Sequence, residues 1–173
     1  MKFHTLAAAL SLLMISGSAH AQAAKPNDAQ IAHIAYTAGD LDVKAGKVAL
    51  EKSKNAEVRA FAENMVKDHT AVNDKALALV KKLGVTPEDN DTSKSLIKEQ
   101  GEKQAELAKL SGAAFDKSYV DNEVAFHKAV IGALEKTLIP SSQNAELKAL
   151  LQKGLKIFQG HEKHAESVVA KLK

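Results

Sequence analysis

The sequence predicts an all-α protein, a four-helix bundle with an additional, weaker crossover helix. Three observations carry this. Ala, Leu, Lys and Glu, all strong helix formers, dominate the chain. Apolar residues recur at spacings of three and four over four long stretches. A fifth, mostly polar stretch sits between the second and third of these.

The elements follow in order. Lys2, a run of about ten apolar residues at 6–15 and the "AHA" at 19–21 fit a secretory signal peptide, residues 1–21, cleaved after Ala21. The run is too short to span a bilayer, and no later stretch is apolar enough to do so. The expectation is an exported protein, periplasmic or secreted. A short N-terminal linker (22–27) precedes one domain (28–173). Its first helix runs from about 28 to 53, capped by Asn27 or Asp28, with Ile31, Ile34, Ala38, Ala45 and Ala49 in its stripe. The second covers about 56–83, capped by Asn55 and stopped by Gly84. The third, poorer one covers about 93–110 and carries Gly101 in its interior. The fourth covers about 113–138 and ends before Pro140; the fifth covers about 145–172. At ~1.5 Å per residue the third spans roughly 25 Å, the length of a bundle. A crossover of that length makes helices two and four parallel, the ferritin-like connectivity.

Charge and composition narrow the function. Without Lys2 there are 23 basic residues against 21 acidic ones, interspersed along the chain. No Arg-rich patch or aromatic platform appears, which argues against a nucleic-acid partner. An envelope protein or the cell wall is the partner class left open. There is no Cys, hence no disulfide and no thiolate ligand. No nucleophile–base motif or phosphate loop is present, so no catalytic residue is assigned.

One segment appears twice. "FAENMVKDH" (61–69) aligns with "YVDNEVAFH" (119–127), matching Glu63 to Asp121, Val66 to Val124 and His69 to His127. Both histidines fall on the apolar stripe, one turn after a valine. The matched acids stand about 240° around the helix from their histidines and point outward. On parallel helices the two histidines share one height. His161 lies in the seam of the fifth helix, between Phe158 and Ala165. Three histidines on three helices thus face the core. They are either polar core residues that donate to neighbouring acceptors, or imidazoles converging on one ion.

The acids rank by face. Glu123 is one turn before His127 and breaks the repeat, opposite Met65. Asp42 sits beside the first stripe, near the height of His69. Asp68, adjacent to His69, is expected to be exposed, and His33 is read as a surface residue. His164 either extends the site or edges the surface. Counted from the Pro140–Asn144 turn, His127 and His161 differ in height by roughly 9–10 Å, which sets His161 apart unless helix five is offset. The metal set is therefore His69, His127 and His161 with Glu123 or Asp42. Without thiolates it suits Zn²⁺, Cu²⁺ or Ni²⁺. A di-iron centre is disfavoured, because bundles of that type use Glu-x-x-His and none occurs here.

"EVRAFAENMVKDHTAVN" (57–73), "FDKSYVDNEVAFHKAV" (115–130) and "HEKHAESV" (161–168) together resemble an exported bacterial ferritin-like domain family of unknown function, often labelled "predicted outer membrane protein". The resemblance covers about 28–172. It implies a ferritin-like bundle with a histidine site at His69, His127 and His161. Asp42 stands where that family often has Glu. It implies no established activity. Three functions stay open at this point: a metal-binding bundle in a buffering or envelope-stress role, a metal-free structural or interaction protein of the envelope, and, with no motif in its support, a hydrolytic or redox enzyme using an open metal position.

Overall fold

The computed structural model describes residues 25–172; the expected signal peptide and its cleavage point lie outside them. Five helices pack together: α1 (Asp28–Lys52), α2 (Ala56–Leu83), α3 (Asp91–Ala108), α4 (Gly112–Ala133) and α5 (Ala145–Lys171). α4 continues through one π-helical turn, Leu134–Leu138, and a short α-helical piece, Ile139–Ser141. No helix among the described residues is long and apolar enough to cross a membrane.

The caps are those that short polar side chains favour. Asn27 closes a capping box with Gln30, Asn55 accepts from the amides of Glu57 and Val58, and Asn144 does the same for Glu146 and Leu147. Asp28 is no cap. Its carboxylate accepts from the amides of Gln143 and Asn144 at 2.9 and 2.8 Å, which ties the loop before α5 to the start of α1. Asn90 caps α3 two residues earlier than the sequence suggested, again through a capping box, with Ser93. Gly84 ends α2 in the left-handed region, at φ 63°.

Contacts fix the directions. Asp42 of α1 meets His69 of α2, whereas Gly46 further along α1 meets Ala62, earlier in α2, so the pair is antiparallel. α5 runs against α2, because Glu57 pairs with Lys171 and Lys82 with Glu146. It also runs against α4, where Lys128 reaches Glu162 and Glu166 while Glu135 bonds Gln159. Hence α2 and α4 are parallel, as the crossover argument requires. α3 supplies the crossover. Its start lies beside Gln30 and its end beside Lys52, whose ammonium donates to the carbonyls of Leu107 and Ala108.

The end of α4 differs from expectation. Pro140 does not stop the helix. It has no N–H to return to the carbonyl one turn back, and the chain widens instead. The Ile139 amide reaches the carbonyl of Leu134 through a π turn, and the Ser142 amide then bonds Leu138. The helical path therefore reaches Ser141. His127 stands about fourteen residues before that end and His161 about sixteen after the start of α5, a difference of ~3 Å. The expected mismatch came from ending α4 too early.

The apolar interior falls into two clusters. One holds Ile34, Ala38, Val130, Leu134 and Phe158; the other holds Ala45, Met65, Val120 and Ala165. Between them, on α1, α2, α4 and α5, lies a layer of buried polar residues: Asp42, His69, Glu123, His127 and His161.

Candidate metal centre

Each member of the polar layer sits where an apolar residue would complete a stripe. Ala38 and Ala45 bracket Asp42, Val120 and Val130 bracket Glu123 and His127, and Phe158 and Ala165 bracket His161. The four helices thus drive these side chains inward together. His69, His127 and Glu123 are 1% exposed or less, and His161 is 7% exposed.

The imidazoles converge. Ring centroids are 5.1 Å apart for His69–His161 and 5.9 Å for both His69–His127 and His127–His161. One nitrogen from each lies within 4.8 Å of the others. A second group, Asp42, Glu123 and His127, meets the same limit. The structure therefore brings together the five residues that the sequence singled out. His164 joins neither group; it is half-buried, with its ring edge-on to Phe61 at 5.3 Å.

Hydrogen bonds fix two tautomers. Nδ1 of His127 lies 2.8 Å from the backbone carbonyl of Glu123, one turn back. A carbonyl only accepts, so Nδ1 carries the proton and Nε2 keeps its lone pair. Nε2 of His161 donates to Asp68 at 3.0 Å, leaving Nδ1 bare. Both bare nitrogens, and Nε2 of His69, are buried and have no hydrogen-bond partner among the described residues. Nε2 of His69 is 3.4 Å from Oδ2 of Asp42, but the two are not aligned as a hydrogen bond. An outer N–H held by an acceptor with the inner nitrogen free is the arrangement that orients metal-binding imidazoles.

The electrostatics run one way. Burial holds the histidines uncharged: His69 well below the ordinary imidazole range, His127 down to about 4, and His161 lowered despite Asp68. Each is thus a neutral donor at neutral pH. Burial also raises both acids, Glu123 to about 8 and Asp42 well above the carboxylate range, where Glu123 beside it adds to the effect. At neutral pH both carboxyls are therefore held in their protonated, uncharged form. The phenol of Tyr119, buried and without a partner among the described residues, is held well above its usual range by burial and by both carboxyls.

Three placements depart from expectation. Asp68 is partly exposed, yet it anchors His161 across the helix pair. It sits on the edge of α2 that faces α5, which the wheel of α2 alone does not reveal. His33 is half-buried rather than on the surface, with Nδ1 enclosed. Phe158 was legible only as a seam residue of the fifth helix, and Tyr119 was not singled out. Phe158 in fact lies against both His69 (4.7 Å) and His127 (5.1 Å). Glu63 and Asp121 are exposed, as the wheel required.

No curated protein and no solved structure matches the chain. A family model described as a domain of unknown function, DUF4142, matches residues 14–168, nearly the whole helical region with its buried histidine layer, and the chain belongs to that family.

Proposed function

We propose that this protein binds one divalent transition ion, Zn²⁺, Cu²⁺ or Ni²⁺, through His69, His127 and His161, with the Asp42–Glu123 pair supplying an acid ligand. The observation that carries this reading is the set of three buried, neutral imidazoles whose inner nitrogens have no partner among the described residues. Each unsatisfied buried nitrogen costs roughly 1–3 kcal/mol, and one ion would satisfy all three. Around an ion at ~2.0–2.1 Å, tetrahedral nitrogens stand ~3.3 Å apart, so modest side-chain rotations close the cluster. The chain's two parallel histidine helices and its crossover α3 support a ferritin-like connectivity. Within this reading the protein is exported to the periplasm or beyond and buffers metal or serves in envelope stress.

Calorimetric titration of metal-stripped protein with Zn²⁺ and Cu²⁺ tests it. One ion per chain with a Kd below ~10 µM is expected. The paired change His69→Ala and His127→Ala should abolish binding while helicity by circular dichroism is kept. Weaker binding by the parent, or unchanged binding in the folded double variant, overturns the assignment. A metal-free envelope protein is the second reading. It is favoured by the same groups being neutral as they stand, with uncharged histidines beside two carboxyls that keep their protons.

A further inference from the structure

A second site lies beside the polar layer. The half of the core toward the α4–α5 turn is incompletely filled. A cavity of about 110 Å³ opens between α1, α2, α4 and α5, with α3 at its rim. Small residues create it: Ala35, Ala38, Ala76, Ala133 and Gly154 stand where larger side chains would meet in the middle of the bundle. The widened π turn contributes its first and last residues, Leu134 and Leu138, to the wall. Thr92 and Ala129, also on the wall, are exposed to solvent and give the cavity a way in.

The chemistry of the wall selects the occupant. Apart from Thr92, its only polar side chain is Asn73. The Asn73 amide already donates to the Tyr36 carbonyl, and its oxygen crowds Gly39. A water needs two to four polar partners, which this lining does not supply. An ion or a sugar would lose its hydration without replacement. Apolar cavities of ~150 Å³ stay dry and take up benzene or xenon. An unfilled void also costs stability in proportion to its volume, so an occupant that fills it is favoured on two counts.

We propose that this cavity is a binding site for a small, uncharged, apolar molecule of about benzene size. Phe158 is its inner wall, and the same ring touches His69 and His127. The site is therefore one aromatic ring away from the histidine layer, but it does not depend on a metal being there.

Benzene is the probe, and methyl NMR on the full, metal-stripped chain is the readout. Saturable shifts are expected at Val130, Leu134, Leu147 and Leu151, with Val58 and Val120 in the other cluster unmoved. Two filling variants, Ala38→Leu from the buried wall and Ala133→Leu nearer the opening, should each weaken binding at least tenfold; either one that folds serves. The inference is overturned if the parent chain shows no saturable shift up to the solubility of benzene. It is overturned equally if a folded filling variant binds as well, or if the shifts appear in the other cluster. Failure of zinc binding leaves these outcomes unchanged.

Discussion

At the scale of single residues, the polar layer makes stability depend on pH in two opposed ways. Glu123 moves from its ordinary 4.5 to about 8, and Asp42 moves the same way. The folded chain then holds protons that the unfolded chain has released. For Glu123 this penalty is absent below 4.5 and reaches full size by about pH 8. His127 moves from 6.5 to about 4, with His69 and His161 in the same direction. That penalty is absent above 6.5 and grows as the pH falls toward 4. Between 4.5 and 6.5 the two trends oppose; above 6.5 only the acid penalty grows, so the metal-free chain should lose stability from about pH 6.5 to pH 8, and it should also weaken below the acids' ordinary range, where only the histidine penalty grows. Denaturant midpoints across this range check it. In Glu123→Gln, which keeps the shape and removes the titration, the alkaline fall should become shallower; an unchanged slope would place the effect elsewhere. The histidines were legible in the sequence because each interrupts an apolar stripe. Asp68 was not, because its role depends on which edge of α2 meets α5, and a single helix wheel carries no neighbour.

At the scale of elements, α1 and α2 approach each other closely at Gly46. A Cβ built on Gly46 would lie 2.9 Å from Cγ2 of Val66 and 3.2 Å from the backbone carbonyl of Ala62. The carbonyl is part of α2 and has no room to yield. Gly46→Ala should therefore destabilise the fold by ~1–3 kcal/mol, against the ordinary gain in helix propensity, as read from chemical denaturation. A neutral or stabilising result would mean that α1 and α2 are less tightly apposed. The close approach matters for the site, since it sets Asp42 against His69. Four of the five helices were legible to within a few residues, from caps and periodicity. The end of α4 was not. Pro140 reads as a stop signal, and the π turn that carries the helix past it depends on packing of Leu134 and Leu138 against the apolar cluster. That misreading produced most of the apparent separation of His161 from the other two histidines.

At the scale of the whole molecule, one polar stratum lies between two apolar clusters of the core, and four helices must agree in height to build it. An ion held there would join α2, α4 and α5 at mid-length. With Zn²⁺ at one hundred times its Kd, the fold should gain ~2.7 kcal/mol, seen as a higher Tm that chelation reverses. A Tm indifferent to both zinc and chelator would fit the metal-free reading. The architecture could be read from the sequence because helix lengths and a crossover leave few ways to arrange five rods. The cavity could not, because alanine at a stripe position looks like ordinary core until the opposing helix is seen to present alanine too. Phe158 belongs to both halves of this design, as cavity wall and as the ring on which two histidines rest. If a guest on one side changes how that ring sits, it changes the affinity on the other. Linkage then demands reciprocity: whatever factor zinc imposes on benzene, benzene imposes on zinc. One aromatic side chain would make the bundle a two-input device whose coupling constant is the same from either direction.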